Sequence, residues 1–313
     1  MIGYIARRIL VSIPVIFIVA IITFSITYLV PGNAAYDIAG EQASPEDIER
    51  LIVELGLDRP YSVQFGEWFG RVLTGNLGRS LFTGHTVTEL IALRIEPTLS
   101  LTITGLLLSI LIGMPLGVVA GWKPHTWVDR AVMFVSVLGF SVPAFWLGFL
   151  LILLFAVNLG WLPAIGYVSI FDSVTGFAKS MVLPSISVAV SGAAIIARMT
   201  RSSMLEVLNE DYIRTARSKG LTERVILRRH ALKAASLPVA TIVGLLLGGL
   251  LTGVVVTETV FTLPGLGRLA AEAMVRRDIP VLQGVVLVLG LVIVFANLVT
   301  DVTYAYLDPR VRY

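Results

Sequence analysis

Six long apolar runs constrain this chain more than any other feature: Ile9–Val30, Thr98–Gly121, Ala131–Val157, Met181–Ala197, Pro238–Thr257 and Val281–Tyr304. Each is long enough, or nearly so, to cross a hydrocarbon layer as a helix, which takes about 20 residues. The alternating ten-residue pattern of barrel strands is nowhere visible, so helices are the expected spanning form. The fold class is therefore expected to be an all-α integral membrane protein with six transmembrane helices. Composition agrees, since 56% of the residues are hydrophobic and 14% charged, against about a quarter charged in soluble domains. The N-terminal run is too long for the apolar part of a signal peptide, and no small-residue cleavage site follows, so it reads as a retained first span.

Basic residues set the expected orientation. With the N-terminus inside, the inner segments carry Arg7, Arg8, Lys123, Arg130, nine Lys and Arg from Arg198 to Lys233, then Arg310 and Arg312. The two short outer loops carry only Lys179, Arg268, Arg276 and Arg277. Positive-inside bias thus places both termini in the cytoplasm. The chain reads as one membrane domain over 1–313, with residues 1–30 as inner tail and first span, 31–97 as an outer loop, and 98–313 as a core of five spans.

The outer loop is net acidic, with ten acidic and five basic residues. "SPEDIERLIVELGL" predicts a short helix, with Ser44 as N-cap, Pro45 at the first position, Asp47 in the capping-box place and Gly56 as stop. "GNLGRSLFTG" predicts a glycine-rich loop packed on the membrane face. Within the spans, Gly113, Gly117 and Gly121 line one helix face, and Gly244, Gly248, Gly249 and Gly253 crowd another. Such faces let helix backbones approach closely, or they give a pathway a smooth wall. Pro14, Pro115 and Pro143 are expected to bend their spans.

Much chemistry is excluded. There is no cysteine, hence no disulfide, thiolate or Cys-based zinc site. His85, His125 and His230 are far apart in sequence. No G-x-x-x-x-G-K-[ST] loop exists to hold ATP phosphates, and no G-x-S-x-G or H-E-x-x-H motif occurs. Neither an ATPase nor a hydrolase is expected, and no cofactor. Ionisable groups in spans cost about 2.5–3.5 kcal/mol at a helix centre, so those near span ends become candidates for the translocation path or its gating. They are Glu258 at the outer end of the fifth span, and Asn297 and Asp301 toward the inner end of the sixth. The plainer expectation is an interfacial, partly wet setting, with Asp301 near Arg310 or Arg312.

The longest inner segment, about 199–237, is dense in charge. From Leu205 onward, Leu205, Leu208, Tyr212 and Ala216 share a helical face. Glu210 and Arg214 form an i,i+4 pair. Gly220 stands where a helix-stopping residue belongs, with Lys219 suited to the negative helix end. Thr222 is placed to cap a second helix, with Glu223 in its first turn. The expected unit is helix, glycine turn, helix. A DNA-binding role is disfavoured because both its ends enter spans. Two readings stay open from the residues alone: a basic connector held by lipid head groups, and a docking element received by a partner's groove.

The stretch "EDYIRTARSKGL" resembles the cytoplasmic loop motif of ABC-importer permeases, in the peptide/nickel branch that includes dipeptide and oligopeptide permeases. Its register falls on Arg214, Thr215, Ala216 and Gly220, with arginine in place of the family's general glutamate. "VPGN", "GLDRPYSVQFGEWFGRVLTGNLGRS", "ETVFTLPGLGRL" and "DVTYAYLDPRVRY" are similar to the same branch, in order along the chain. The resemblance implies the six-helix permease fold of type I importers in a bacterial inner membrane. It implies a second, homologous permease, two cytoplasmic ATPase subunits that bind ATP and magnesium, and an extracytoplasmic solute-binding protein. It also implies an ATPase seat made by Tyr212, Thr215, Ala216, Gly220 and Leu221, tuned by Arg214 and Lys219. Peptides are the favoured cargo, ahead of nickel chelates, glutathione or sugars.

Overall fold

The structure is a computed structural model that describes residues 2–29, 44–54 and 58–307. In chain order its helices are α1 (Ile2–Leu29), α2 (Pro45–Glu54), α3 (Tyr61–Leu73), α4 (Val87–Ala92), α5 (Ile95–Trp122), α6 (Trp127–Ser141), α7 (Ala144–Leu151), α8 (Val174–Leu208), α9 (Asp211–Ser218), α10 (Leu232–Val260), α11 (Leu266–Arg276) and α12 (Ile279–Leu307). A π-helical segment, Ile152–Asn158, prolongs α7; a second, Ile226–Ala231, follows the short helical turn Glu223–Val225 and leads into α10. Among the described residues the only β pairing is one isolated bridge between Arg79 and Thr86.

Five helical stretches are long and apolar enough to cross a membrane, and a bent pair counted as one broken span makes six. Large apolar side chains stand exposed along them, including Leu10, Leu111, Phe134, Phe149 and Phe295. A band of this size needs lipid or protein over it. Two predicted spans differ from the structure in instructive ways. Ala131–Val157 is not one helix: α6 ends at Ser141 and α7 starts after Pro143, with the two segments bent by 98°. Pro143 lacks the N–H that would continue the ladder and its ring crowds the preceding turn. Pro14 and Pro115, by contrast, sit inside helices that run on without a break.

The fourth span, read as Met181–Ala197, belongs to α8, the longest helix at 35 residues. Its apolar window is 72% buried. A helix surrounded by protein can carry Ser185, Ser187, Ser203 and Thr200 where lipid would penalise them. Polarity therefore shortened its hydropathy signal because it is the centre of the bundle. Helices α5, α6, α7 and α10 all pack on it.

The glycine faces separate into two kinds. On α5, a Cβ at Gly113 would lie 2.5 Å from the Ala193 carbonyl oxygen, and one at Gly121 2.6 Å from Met204 Cβ. A Cβ at Gly117 would overlap the Ala197 carbonyl oxygen and lie 2.5 Å from Thr200 Cβ. These glycines are tight-packing residues, as the plainer expectation held. On α10, Gly244 abuts Thr300, but Gly249 and Gly253 meet nothing within 4 Å and stand exposed.

The segment between α1 and α5 holds more helix than expected. The predicted helix is present as α2, while its stop at Gly56 and the Asp47 side chain lie outside the described residues. Helices α3 and α4 were not anticipated. α3 runs back along α1 through an aromatic cluster: Phe24 meets Tyr61, Phe65 and Trp68, and Phe17 meets Phe65 and Phe69. α4 opens on a capping box, with Thr86 Oγ1 accepting from Glu89 N–H and Glu89 accepting from Thr86 N–H. Its Val87 and Ile91 join Leu266, Leu269, Leu282 and Val285 in one apolar core. The glycine-rich loop does pack on the bundle. Ser80 Oγ donates to buried Asp278 at 2.5 Å, and Leu81 N–H donates to the same carboxylate at 3.3 Å.

Asp301 is paired with Arg8 of α1 at 2.9 Å. The expected partners, Arg310 and Arg312, lie outside the described residues. The pair is partly exposed and ties α1 to α12 on the face of the bundle where α9 lies.

Candidate functional site

Two groups of residues merit attention, one at each face of the bundle. The first is α9 and the turn after it. The continuous helix expected from Leu205 does not form. α8 ends at Leu208, Asn209 and Glu210 intervene, and α9 begins at Asp211. Asn209 N–H donates to Glu206 O and its side-chain amide to Leu205 O, which close off α8. Leu208 packs with Met204, Ala231 and Ala235, apart from the α9 cluster. Its anchors are instead Ile213, fully buried, and Ala216, packed with Ile226 and Val207. Ile213 escaped the sequence reading because the assumed helix register passed through Tyr212.

Gly220 has φ of +79°, Leu221 N–H donates to Ala216 O at 3.3 Å, and Gly220 N–H donates to Arg217 O at 2.9 Å. This is a Schellman ending, and the left-handed residue it demands is the glycine. With Ile213 and Ala216 turned inward, Tyr212, Arg214, Thr215, Lys219, Gly220 and Leu221 are presented outward. Burial, then the neighbouring Glu210 carboxylate, raises the Tyr212 hydroxyl above its usual pKa, so it stays a neutral phenol. Arg214 pairs with Asp211 at 3.3 Å instead of Glu210, both side chains largely exposed. Thr222 occupies the N-cap position without a side-chain hydrogen bond. Arg217 bonds Glu223 at 2.8 Å across the glycine turn and stiffens it.

The second group surrounds Glu258, at the other face. The expected partly wet setting is corrected: Glu258 is fully buried. Its carboxylate accepts from Thr98 Oγ1 at 2.6 Å and from Arg268 N–H at 2.9 Å. Thr98 Oγ1 in turn accepts from Leu266 N–H at 2.8 Å. Helix α11 has no side-chain cap of its own, because its N-cap is Gly265. Glu258 and Thr98 supply one from two other helices, satisfying its first N–H groups and complementing its positive end. A Cβ on Gly265 would overlap the Glu258 carboxylate, and one on Gly267 would lie 2.6 Å from Val255 Cα. The pattern "ETVFTLPGLGRL" is therefore a folding unit: a carboxylate, a turn, then two glycines that let α11 close on it.

Around this unit lies a polar layer that the sequence reading missed. Arg268 bonds Glu272 at 2.8 Å, and Arg94 reaches the same carboxylate at 3.5 Å. Glu96 accepts from Tyr167 at 2.8 Å and from Ser169 at 2.6 Å. Desolvation pushes the Tyr167 hydroxyl up to about 12, keeping it a donor. Asn297 stands exposed on α12, a turn before Asp301 and opposite Gly248, about 15 Å along α10 from Glu258, so the three candidate path residues do not meet. Among the described residues no three His, Asp or Glu side chains converge as a metal site.

Comparison with known proteins fits this architecture. Residues 113–313 match the family described as binding-protein-dependent transport system inner membrane component, and residues 1–102 match its N-terminal companion. A putative peptide transport system permease of Brucella abortus (strain 2308) is 46% identical over 313 residues, covering the whole of both chains. The dipeptide transport system permease DppB of Alkalihalophilus pseudofirmus is 44% identical and the glutathione transport system permease GsiC of Salmonella choleraesuis 43%, each over the full length of both chains. The fold is similar to a chain of the inward-facing MetNI methionine ABC transporter, with TM-score 0.59 and 20% identity, covering 70% of this chain and 96% of that one. The chain belongs to the binding-protein-dependent transport system inner membrane component family: it is a multi-pass permease subunit of an ABC importer.

Proposed function

We propose that this permease imports short peptides, delivered by an extracytoplasmic solute-binding protein and driven by ATPase subunits that seat on α9. The observation that carries the motor half of this reading is the α9 unit itself. It is anchored by Ile213 and Ala216, ended by Gly220 at positive φ, and offers Tyr212 and Leu221 as exposed apolar contacts. That is the form of a helix made to lie in a groove of another protein. A second, homologous permease completes the pathway. ATP-driven approach of the two α9 helices then switches access between the membrane faces as a rigid-body change. In this reading the chain holds no nucleotide; ATP and magnesium belong to the partner ATPases. Glu258, Asn297 and Asp301 act in the frame that opens and closes the path.

Peptide cargo rests on the relatives' names, and the glutathione permease among them favours glutathione, itself a tripeptide, as the second candidate. The decisive experiment uses the whole complex in proteoliposomes. Native chain should co-purify with two ATPase subunits and a second permease, and take up labelled dipeptide when the binding protein and ATP are supplied. Gly220→Val places a β-branched residue at φ +79° and is expected to cut uptake at least tenfold while leaving membrane insertion intact. Normal uptake by that variant would sink the α9 seat. Uptake of glutathione but not dipeptide would shift the cargo to the second candidate.

We also infer that both termini and α9 face the cytoplasm, from the Lys and Arg bias. A reporter fused at Lys219 should read cytoplasmic and one at Asn76 external. The reverse pattern would overturn the orientation.

A further inference from the structure

One ion pair, with a buried carboxylate and a partly buried guanidinium, takes no part in the sites above. Asp129, in the first turn of α6, is 3% exposed. Arg201, on α8, grips it with both arms: Nε donates to Oδ1 at 2.5 Å and Nη2 to Oδ2 at 2.8 Å. The turn between α5 and α6 is wrapped around the same carboxylate. His125 N–H donates to Oδ2 at 3.0 Å, with His125 held at φ of 61°. Thr126 Oγ1 donates to Lys123 O at 2.7 Å and accepts from Asp129 N–H at 3.4 Å. Taking the Asp129 carboxylate out of water costs desolvation that an apolar residue would avoid, so its retention, against an Arg201 side chain that is only partly buried, asks for a use beyond stability.

Position supplies that use. Arg201 lies two turns before α8 ends at Leu208, and α9 begins three residues later. Gly121, at the end of α5, packs directly on Met204 and Arg201. α5 is already fastened to α8 by its glycine face, so without Asp129 the α5–α6 turn would be the compliant joint. Beyond α6 lies the 98° bend at Pro143 and then α7.

We propose that Arg201 and Asp129 are positioning residues that clamp α6 to α8, so that movement of α9 carries α6 with it toward the bend instead of being absorbed in the α5–α6 turn. The proposal rests on the reading of α9 as the motor seat. The planar, two-pronged guanidinium matters here, because a single-point cation would let α6 pivot.

The test is made on the assembled transporter in proteoliposomes. The chain has no cysteine, so spin labels can be placed cleanly at Trp127→Cys on α6 and Glu206→Cys on α8, both exposed positions. In the native background their separation should be one narrow distribution, unchanged between nucleotide-free and ATP-bound states. Asp129→Asn and Arg201→Lys, which keep size or charge, should assemble normally and retain ATP turnover within about twofold. Both should broaden the distance, make it nucleotide-dependent, and lower peptide taken up per ATP at least fivefold. The double variant should be no worse than either single one, as expected of a pair acting as a unit. A native distance that changes on ATP binding would overturn the clamp. So would variants with native distances and native uptake per ATP. Gly220→Val, run alongside, separates the two ideas: if it transports normally the α9 seat fails, while the distance measurement still decides whether α6 and α8 move as one.

Discussion

Gly117→Leu is expected to prevent the bundle from closing. A Cβ at this position would overlap the Ala197 carbonyl oxygen and lie 2.5 Å from Thr200 Cβ. The first obstacle is backbone of α8, the most buried helix of the fold, so no side-chain rotation relieves it. Over-packing a core costs about 1–3 kcal/mol when side chains can adjust, and here separation of α5 and α8 is the remaining response. Loss of monodisperse protein in detergent, or a thermal midpoint too low to measure, is the expected outcome. Gly249→Ala is the control, since nothing lies within 4 Å of that site and alanine gains about 1 kcal/mol of helix propensity over glycine. Equal melting of Gly117→Leu and the native chain would mean that the α5–α8 contact is not as close as described.

The second large effect belongs to Glu258. Glu258→Ala removes the acceptor for Thr98 Oγ1 and Arg268 N–H in a site with no exposure. Each buried donor left without a partner costs about 1–3 kcal/mol, and the positive end of α11 loses its counter-charge. Glu258→Gln keeps one carbonyl oxygen and nearly the same volume, so it should melt between alanine and the native chain. Protease cleavage within α11 should rise in the same order. If alanine melted with the native protein and α11 stayed protected, Glu258 would not be its cap.

How far residues alone carry the description depends on how local the cause is. The α9 ending was legible because a Schellman turn depends on one position tolerating positive φ, and Gly220 stands there with Lys219 before it. The direction of α9 was not legible, because it depends on where α8 stops and on Ile226 meeting Ile213. The capping box of α4, "TVTE", could have been read, and so could the helical period of "YSVQFGEWFGRVL" in α3. The partners of Glu258 could not. Thr98 lies 160 residues away, and Gly265 looks like any turn glycine until the carboxylate beneath it is seen.

Hydropathy by itself determined that this chain crosses a membrane as helices and roughly where those helices lie. These follow from the cost of leaving backbone groups unpaired in lipid, which applies to every helix separately. Only the tertiary structure decided which helix is central, which of the glycines are contacts, and which charges are caps or clamps. α8 was the weakest span by sequence because its neighbours replace lipid, and Gly117 and Gly249 differ only in whether another backbone lies opposite. The physical reason is that burial and pairing are properties of two surfaces, and a sequence presents them one at a time.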